Sequence, residues 1–299
     1  MLVQETLTGK VDKVQKAIDR IRAFEPRDGY LLAFSGGKDS QCVYHLAKMS
    51  GVRFEPHYYV TTVDPPELLR FIREQYPDVI WDYPFDKDGR RTCMYRLIAE
   101  RTIPPTRMVR YCCTELKESK TLGHLVITGV RWAESNNRRT LHGVVNIGTT
   151  SKKLINGALN NNPAAKLNNH NTLVFMDDNE ESRRMVEHCY VSKRTSLNPI
   201  VDWDDSDVWE FLNDVVKVPH CSLYDEGHLR IGCVGCPLQG GSGMQQEFER
   251  WPGYKRMYIN AFNQMIKNHP GEIRYANSDI AESGGGERLL VEWIEKCGH

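Results

Sequence analysis

Residues 30–40 have the sequence YLLAFSGGKDS, in which a short apolar run leads into two glycines and a polar segment. A continuous apolar run such as residues 30–34 is typical of a strand that is buried on both faces of a sheet. The helical pattern that follows continues to about Ala47 and stops near Gly51. The stretch therefore predicts a buried strand, a tight turn and a helix, which is the repeating element of an α/β fold.

The turn at residues 35–40 has the residue types that a phosphate-binding loop needs. Its residues are Ser35, Gly36, Gly37, Lys38, Asp39 and Ser40. Two glycines allow the backbone to approach an anion, and the free N–H groups at the start of the helix point towards it. The serines can donate hydrogen bonds, the lysine adds positive charge, and the aspartate can hold Mg²⁺ or order the loop. The alternative is a glycine turn that only caps the helix. Six matching residues between a strand and a helix favour phosphate binding, although the Walker pattern is absent.

Further apolar runs alternate with helical patterns along the first half of the chain. Strands are predicted at residues 54–63, 79–81 and 124–130, with a helix opening at Pro65 and Pro66. Helices are also predicted at residues 4–24, 205–213, 245–267 and 287–296. This alternation predicts an α/β fold with a mostly parallel, twisted sheet and helices on both faces, followed by a C-terminal helical part.

Residues 145–172 differ in composition from the rest, because they are rich in Asn and nearly free of acidic residues. We interpret them as an insertion with long loops that lies outside the sheet and extends to about residue 190. The predicted organisation is an N-terminal helix over residues 1–28, a nucleotide-binding domain over 29–240 and a helical segment over 241–299.

The charge balance is neutral, with 39 Lys plus Arg and 39 Asp plus Glu in 299 residues. This argues against a surface built for sequence-independent nucleic-acid binding, which needs a basic excess. No apolar run approaches the roughly 20 residues that cross a bilayer, and the N-terminus lacks the apolar core of a secretion signal. We therefore predict a cytoplasmic protein without membrane association, whose nine cysteines do not form a disulfide framework.

Four of the cysteines have an informative spacing, namely the adjacent pair Cys112 and Cys113 and the Cys-x-x-Cys pair Cys233 and Cys236. Four thiolates suit either tetrahedral zinc or an iron–sulfur cluster. Adjacent cysteines are awkward ligands for one zinc ion because their side chains diverge, whereas a cubane offers each of them its own iron. We therefore favour a [4Fe–4S] cluster, with zinc and four unrelated buried thiols as the alternatives.

Charged residues follow the predicted strands at the rim where ligands of α/β sheets bind. Arg131 and Arg138 come after the fourth strand and can clamp a phosphate or sulfate group. For Arg131, which follows Gly129 closely, we favour binding over a solvated basic face. Asp64 follows the second strand, where it either faces the nucleotide or caps the helix at Pro65.

Residues 35–40 resemble the pyrophosphate loop of the ATP pyrophosphatase and phosphoadenylylsulfate (PAPS) reductase superfamily. Three later segments agree with that family in their order along the chain. They are Thr128-Gly129-Val130-Arg131 with Glu134, Ser135 and Arg138; Asn198-Pro199-Ile200 with Trp203, Asp207 and Trp209; and Leu223-Tyr224-Asp225 with Gly227, Ile231, Gly232 and Cys233. The resemblance covers roughly residues 30–240, interrupted by the Asn-rich segment.

The resemblance implies an adenine nucleotide α hydrolase-like fold with an adenine nucleotide as ligand. The implied binding residues are Ser35, Gly36, Gly37, Lys38, Asp39, Ser40, Asp64, Gly129, Arg131 and Arg138, and the implied catalytic residues are Lys38, Asp39 and Arg131. It also supports a [4Fe–4S] cluster on Cys112, Cys113, Cys233 and Cys236. Adenylylsulfate reductases carry a similar cysteine set, and DNA phosphorothioation sulfurtransferases look similar too.

The same loop is compatible with three functions, which we rank in order. An ATP pyrophosphatase would cleave ATP with Mg²⁺ and adenylylate an acceptor for sulfur insertion, as in DNA phosphorothioation, with a cysteine desulfurase as the expected partner and DNA as an acceptor. An adenylylsulfate or PAPS reductase would release sulfite with thioredoxin. The third function is a non-catalytic, nucleotide-sensing iron–sulfur subunit.

The end of the chain bears on this choice, because reductases of the family carry a nucleophilic cysteine in a mobile tail reading Glu-Cys-Gly-aliphatic-His. Residues 295–299 read EKCGH, with an additional lysine and without the aliphatic residue. Cys297 also falls at helical spacing from Leu290 and Trp293, which predicts a buried helix face. We favour this packing role, and a thiolate nucleophile activated near His299 is the alternative.

Overall fold

The structure of the protein, a computed structural model, describes residues 1–6, 9–118, 121, 123–149, 151–189, 194–273 and 278–297. The chain divides into two units. The first comprises Met1–Tyr58, Phe71–Trp81 and Lys120–Gly227, and the second comprises Tyr59–Arg70, Asp82–Ser119 and His228–His299.

The strands of the described residues are β1 (Val3–Thr6), β2 (Gly9–Asp12), β3 (Tyr30–Ala33), β4 (Phe54–Tyr59), β5 (Ile80–Asp82), β6 (Leu125–Ile127), β7 (Val145–Gly148), β8 (Ala165–Leu167), β9 (Thr172–Phe175) and β10 (Thr195–Leu197). The helices are α1 (Lys13–Ala23), α2 (Lys38–Ser50), α3 (Pro66–Gln75), α4 (Met94–Ala99), α5 (Tyr111–Cys113), α6 (Asn136–Leu141), α7 (Lys152–Asn161), α8 (Glu180–Cys189), α9 (Asp205–Glu210), α10 (Gly240–Arg250), α11 (Pro252–Asn268) and α12 (Ser278–Cys297).

An eight-stranded sheet with the order β5-β4-β3-β6-β10-β7-β9-β8 forms the centre of the first unit. Its central strands β4, β3, β6 and β10 pair in parallel, with Leu31 of β3 opposite Glu55 on one side and Val126 on the other. Helix α2 packs against β3 and α8 against β7. Leu32 and Ile127 have no exposed surface, as the apolar runs predict for strands covered on both faces. The predicted α/β fold with a largely parallel sheet and C-terminal helices is confirmed.

The prediction that residues 145–172 lie outside the sheet is wrong. Strands β7, β9 and β8 continue the sheet beyond β10, and each pairs with its neighbour in antiparallel orientation. The reason is that short apolar runs are interleaved with the asparagines. Ile147, Leu173 and Phe175 are fully buried, so that this segment supplies part of the core of the first unit. A composition averaged over the whole segment conceals these runs.

The buried asparagines of this segment have structural roles. The side-chain amide of Asn162 is 1% exposed and donates to Ser182 at 3.0 Å and to Asn179 at 3.3 Å, which ties the end of α7 to the start of α8. Gly143 lies where a Cβ atom would come within 2.2 Å of the Phe175 carbonyl oxygen, so only glycine allows β7 and β9 to approach each other there. The polar composition therefore reflects turns and caps between strands.

The predicted helix at residues 4–24 begins later than the apolar spacing indicates. Strands β1 and β2 form an antiparallel pair instead of its first two turns. Asp12 is the N-cap of α1, because its carboxylate accepts hydrogen bonds from the backbone N–H groups of Val14 and Gln15. This cap fixes the start of the helix at Lys13, and α1 ends at Ala23.

The second unit is largely helical, with α11 and α12 as its main pair of packed helices. The rings of Tyr258 and Trp293 stack with centroids 5.4 Å apart, and both side chains are fully buried. Helix α12 is kinked at Gly285, whose φ of 61° and ψ of −165° interrupt the helical backbone. Among the helices of the described residues, none is both long and apolar enough to cross a membrane.

A buried ion pair joins α1 to the chain that follows β10. The guanidinium of Arg20, 4% exposed, donates to both carboxylate oxygens of Asp202 at 2.9 and 3.1 Å and to the Pro199 carbonyl at 2.9 Å. Burial alone would raise the pKa of Asp202, but the hydrogen bonds and charges of Arg20 and Lys16 outweigh it and lower that pKa. The pair therefore stabilises the fold while Asp202 is ionised.

Asp202→Asn should lower the free energy of unfolding by about 3 kcal/mol at pH 7, because it leaves the buried Arg20 without its carboxylate. The ion pair stabilises the fold at pH values above the pKa of Asp202 in the unfolded chain, which is about 4. This stabilisation is lost as the pH falls through the lower pKa of Asp202 in the folded protein, so the difference in unfolding free energy between the variant and wild type should shrink in acid. Urea unfolding at several pH values measures it. Lys16→Ala, which removes the more exposed partner of Asp202, is the control and should cost less than about 1 kcal/mol. Equal effects of the two variants would contradict this account.

Candidate nucleotide site and cysteine cluster

The chain changes direction across the sheet between β3 and β6. From β3 it runs outward to β4 and β5, and it then returns to β6 on the other side of β3. In open α/β sheets, ligands bind outside the carboxyl ends of the strands at such a switch point. Residues 35–40 leave the carboxyl end of β3, and Gly129 lies just beyond the end of β6. The structure therefore brings together two of the loops that the sequence predicts to bind the nucleotide.

Gly129 allows a close approach between these loops. A Cβ atom at this position would lie 2.8 Å from the backbone carbonyl carbon and oxygen of Asp39, a distance that real Cβ atoms essentially never show. Any other residue here would push the end of β6 away from the start of α2. The predicted role of Gly129 at the site thus has a steric basis in the packing of the loop.

The loop itself is held by its own serines. Gly36 has a φ of 73°, which glycine adopts without strain. The Ser40 hydroxyl donates to the Gly37 carbonyl at 2.9 Å and accepts the backbone N–H of Ser35 at 3.2 Å. Gly37 is the N-cap of α2 and has no side chain to cap it. Within the described residues, the N–H groups of Gly36, Asp39 and Ser40 meet no hydrogen-bond acceptor. These donors at a helix start are suited to an anion.

Two cations and two carboxylates stand beside these donors. Lys38 is 6% exposed, and its Nζ lies 3.4 Å from Asp205 and 3.7 Å from Asp39. Arg131 is 1% exposed; its Nε donates to Asp39 at 2.6 Å and its Nη2 to Asp205 at 2.7 Å. Nη1 of the same side chain donates to the Trp203 carbonyl at 3.3 Å. The guanidinium of Arg131 is thus engaged by protein groups on every nitrogen and holds the Asp39 side chain; its predicted binding and catalytic roles stay predictions.

The two carboxylates of this group titrate in opposite directions. Burial raises the pKa of Asp39 above its usual value, although the charges of Arg131 and Lys38 oppose the shift. For Asp205, burial is outweighed by the hydrogen bond from Arg131 and by the charges of Lys38 and Arg131, so its pKa is lowered. The difference follows from exposure, since the Asp205 side chain is 68% exposed and that of Asp39 only 22%.

Arg138, the other arginine predicted at the site, lies in α6 and is half-buried. Its Nε is 3.7 Å from Glu134, and its Nη1 is 3.3 Å from the Nε2 atom of His142. Burial and the charge of Arg138 lower the pKa of His142 to about 4, so this imidazole is neutral at neutral pH. The structure therefore pairs Arg138 within its own segment, and its binding role stays a prediction.

Asp64 belongs to the second unit, and it is not the N-cap of α3. Its Oδ2 accepts hydrogen bonds from the Thr61 hydroxyl at 2.6 Å and the Thr61 backbone N–H at 3.2 Å, which closes the turn before the helix. Its Oδ1 lies 3.7 Å from the Sγ atom of Cys233. The carboxylate thus belongs to the surroundings of the cysteines, and its predicted contact with nucleotide stays a prediction.

All four cysteines of the predicted cluster lie in the second unit. The Cys112 thiol donates a hydrogen bond to Cys113, which lowers the pKa of Cys113 and raises that of Cys112. The guanidinium of Arg110 lies 3.4 Å from the Cys113 Sγ and lowers the pKa of Cys113 further. The nearby charges of Cys233 and Cys236 also raise the pKa of Cys112. The two remote pairs of the sequence therefore lie close enough to interact electrostatically.

The loop that carries Cys233 and Cys236 is held by hydrogen bonds to a buried glutamate. Glu247, 5% exposed, accepts the Gly235 N–H at 2.7 Å and the Gln239 side-chain amide at 2.5 Å. Gly235 has a φ of 72°, and a Cβ atom there would lie 2.6 Å from the ring of Phe248. Burial raises the pKa of Cys233 to about 12, while the charge of Lys117 opposes this shift.

The chemistry of this donor set suits a four-cysteine cluster, because the thiols of two segments influence one another electrostatically and the charges of Arg110 and Lys117 act on them. In the part of the chain that the structure describes, however, no group of three or more His, Cys, Asp or Glu side chains has a metal-binding arrangement. The [4Fe–4S] cluster therefore stays a prediction, as does zinc.

Cys297 is 4% exposed and lies on the buried face of α12 with Leu290 and Trp293, as the helical spacing predicts. The indole N–H of Trp293 donates to the Pro105 carbonyl at 2.6 Å, which fixes this face of the helix. Gly298 and His299 lie outside the described residues. The nucleophilic role of Cys297 is untested and stays a prediction.

Three residues of these two sites were not identified from the sequence as contributing to them. Asp205 could be read only as the first-turn acid of a helix, and Glu247 stands in a helix where nothing marks it as buried. Tyr224 lies in a segment that resembles the family, but the sequence does not link it to residues 35–40. Its hydroxyl in fact accepts the Lys38 N–H at 2.9 Å. The motif at residues 35–40 contains no signal for Asp205, which is 166 positions from Asp39, or for Tyr224, which is 186 positions from Lys38.

Comparison with known proteins agrees with this geometry. The phosphoadenosine phosphosulfate reductase domain matches residues 29–239, which is more than half of the chain. A phosphoadenosine 5'-phosphosulfate reductase of Xylella fastidiosa is 33% identical over 64 residues, 21% of this chain and 27% of its own length. An adenosine 5'-phosphosulfate reductase of Oceanobacillus iheyensis is 31% identical over 64 residues, 21% of this chain and 26% of its own.

An uncharacterised protein of Methanocaldococcus jannaschii is 35% identical over 79 residues, 26% of this chain and 17% of its own length. The chain thus spans about a quarter or less of the length of these curated relatives. The domain match, in contrast, includes the loop at residues 35–40, the end of β6 and all four clustered cysteines. On this evidence the chain belongs to the phosphoadenosine phosphosulfate reductase family.

Proposed function

We propose that this protein is an iron–sulfur enzyme of sulfur transfer that works as an ATP pyrophosphatase. The observation that carries the proposal is the start of α2, where the N–H groups of Gly36, Asp39 and Ser40 stand without acceptors in the described residues, beside Lys38. Such a set of donors is suited to the β- and γ-phosphates of a bound adenine nucleotide, which leave together as pyrophosphate.

In the proposed reaction, an oxygen of the acceptor attacks the α-phosphorus of ATP. The bond from that phosphorus to the oxygen bridging to the β-phosphorus breaks, and pyrophosphate leaves. The adenylylated acceptor then carries AMP as a leaving group, which a sulfur nucleophile displaces. We propose DNA as an acceptor and a cysteine desulfurase as the sulfur-supplying partner, in the cytoplasm. None of the eight cysteines with described side chains is in a disulfide, which is compatible with a reducing compartment.

The charges around the loop support a requirement for Mg²⁺. Lys38 and Arg131 bring two positive charges, and Asp39 and Asp205 bring two negative ones within 2.6 to 3.7 Å of them. The group is therefore close to neutral and cannot by itself offset the charge of a triphosphate. A divalent cation would supply the missing positive charge, with Asp39 as its proposed ligand. Lys38, Asp39 and Arg131 are the proposed catalytic group, in which Arg131 acts by holding Asp39.

The proposed [4Fe–4S] cluster would be held by Cys112, Cys113, Cys233 and Cys236. When bound, such a cluster supplies an electron reservoir or a site that binds sulfur. The residues of this chain would orient it. Glu247 fixes the backbone between Cys233 and Cys236, and the cation Arg110 offsets thiolate charge next to Cys113.

Reduction of adenylylsulfate or PAPS is the second candidate, and the family and the names of the relatives favour it. A reductase needs a cysteine that attacks the sulfate sulfur and is later released by thioredoxin. Cys297 is the residue that the sequence offers, but it is buried on the face of α12. To reach a nucleotide, that thiol would have to leave its helix face. The burial of Cys297 supports the pyrophosphatase over the reductase.

An anaerobic assay with two substrates separates the two activities. We expect ATP and Mg²⁺, supplied with DNA as the acceptor and a cysteine desulfurase with cysteine as the sulfur source, to yield pyrophosphate and AMP, and adenylylsulfate or PAPS with reduced thioredoxin to yield no sulfite. Cys297→Ser should leave pyrophosphate release unchanged. Sulfite formation by the wild type that Cys297→Ser abolishes would reverse the ranking. Nucleotide binding without either product would instead indicate a sensing subunit.

Lys38→Ala should lower kcat for pyrophosphate release by about 100-fold, because it removes a charged donor aimed at the leaving group. Lys48→Ala is the matched control, since Lys48 lies on the same helix, is 52% exposed and pairs with Asp78 instead of the loop. Its rate should equal that of wild type. Equal rates of Lys38→Ala and wild type would contradict the assignment of the loop.

Purified under anaerobic conditions, the protein should be brown and contain about four iron atoms per chain, as a four-cysteine cubane requires. Single serine variants of the four clustered cysteines should lose most of the iron and the visible absorption. Cys93→Ser, a half-buried thiol outside the cluster, should retain both. Colourless protein with one zinc per chain would refute the cluster in favour of a zinc site.

A further inference from the structure

Tyr224 stands at the start of α2, although 186 residues separate it from Lys38. Its phenolic oxygen accepts the backbone N–H of Lys38 at 2.9 Å. A Cβ atom on Gly37 would lie 3.4 Å from the same oxygen, so the hydroxyl is directly against the glycine turn. The Nζ of Lys38 lies 6.0 Å from the centre of the ring. The hydroxyl is therefore part of the wall of the loop at residues 35–40.

The hydroxyl of Tyr224 has a hydrogen left to donate. A phenol both accepts and donates, and here the oxygen accepts from Lys38. Among the residues that the structure describes, no protein acceptor receives the phenolic hydrogen. Burial raises the pKa of Tyr224 above its ordinary value, so the group remains a donor throughout the neutral range. A half-buried hydroxyl beside an anion loop can donate this hydrogen to water, and equally to an anion that displaces the water.

The ring that carries this hydroxyl is fixed by its neighbours. Trp209 and His220 meet it edge-on, with ring centroids 5.2 and 6.1 Å from that of Tyr224. His220 is itself held by Asp225 at 2.9 Å. A side chain with two torsions that is packed in this way loses little entropy when it binds a ligand. The donor is thus preorganised, as an anion site requires.

We propose that the Tyr224 hydroxyl donates a hydrogen bond to the phosphate group of the adenine nucleotide held by residues 35–40. In this arrangement the Lys38 N–H donates to the phenolic oxygen and the phenol donates to a phosphate oxygen, so that each bond polarises the next. Tyr224 is then a binding residue of the site. The inference rests on the proposed function in one respect, namely that this loop is where phosphates bind.

A purely structural role of Tyr224 has a different consequence. If the hydroxyl only caps Lys38, it occupies an N–H group that a phosphate would otherwise use. Removing it would then leave the binding of an anion unchanged or strengthen it. Donation to phosphate predicts the opposite change. The sign of the effect of Tyr224→Phe on affinity therefore distinguishes the two roles.

The test is calorimetric titration of the full chain with inorganic pyrophosphate and Mg²⁺. Tyr224→Phe should raise the Kd about tenfold, which corresponds to about 1.4 kcal/mol. Tyr44→Phe is the matched control, because that tyrosine lies on α2 but donates to Asp78, away from the loop. Its Kd should equal that of wild type. Urea unfolding of both variants checks that the fold is kept.

An unchanged or lower Kd of Tyr224→Phe would overturn the inference, whether or not the variant is less stable. Lys38→Ala in the same titration separates this failure from failure of the proposed function. Loss of binding in Lys38→Ala without loss in Tyr224→Phe refutes only the role of Tyr224. Wild-type protein that binds no pyrophosphate, or Lys38→Ala that binds it as tightly as wild type, would refute the phosphate loop and the inference with it.

Discussion

The buried guanidinium of Arg131 is the constraint on which the nucleotide site depends. A charge that is 1% exposed must be paired, since an isolated buried cation would cost several kcal/mol. Asp39 and Asp205 provide the pairing from the starts of two different helices, α2 and α9. The end of β6 is thereby fixed to both helices at the switch point of the sheet. The direction of the Asp39 side chain follows from this ion-paired group, while the Ser40 hydroxyl holds the backbone of the loop.

The loop of Cys233 and Cys236 in the second unit is also held by a buried ionisable side chain, in this case an acid and not a base. Here a buried carboxylate, that of Glu247, receives a backbone N–H and a side-chain amide. It therefore holds a loop whose glycine at position 235 has no room for a side chain. Burial raises the pKa of Glu247 to about 7, which is the electrostatic cost of placing a carboxyl group there. In each unit, a buried charged side chain from another segment sets the backbone of a loop that carries the functional groups.

Local patterns in the sequence predict those parts of the structure that depend on local contacts. The strand at residues 30–33, the glycine turn and the start of α2 follow one another within eleven residues, and each is encoded by its own residues. Cys297 is equally local, since its burial follows from helical spacing. The Asn-rich segment was misjudged because three-residue and four-residue strands are stable only through their partners in the sheet. Its apolar runs are too short to be identified without those partners.

The residues that the sequence did not identify share a different property. Asp205 and Tyr224 act through contacts with residues 74 and 186 positions away, and Glu247 through a contact with Gly235, 12 positions away; no spacing rule links them to these partners. Arg131 was identified as a site residue, but its pairing with Asp39 and Asp205 was not. A sequence pattern identifies a loop that can bind phosphate. The donors and carboxylates that surround this loop are determined by the topology of the sheet.

The same geometry bears on the choice of reaction. In pyrophosphate release, the attacking atom belongs to the acceptor, so the protein needs to supply only donors, a metal site and a fixed loop. In sulfate reduction, the protein must also supply a nucleophile that can move to the nucleotide and then to thioredoxin. In the described part of the first unit, the residues proposed for the first reaction are joined by ion pairs, those of Arg131 with Asp39 and Asp205. The thiol available for the second, that of Cys297, lies on the buried face of α12, where Trp293 is held by its own hydrogen bond. The pyrophosphatase reaction that we propose therefore does not require the Cys297 thiol to leave its buried position.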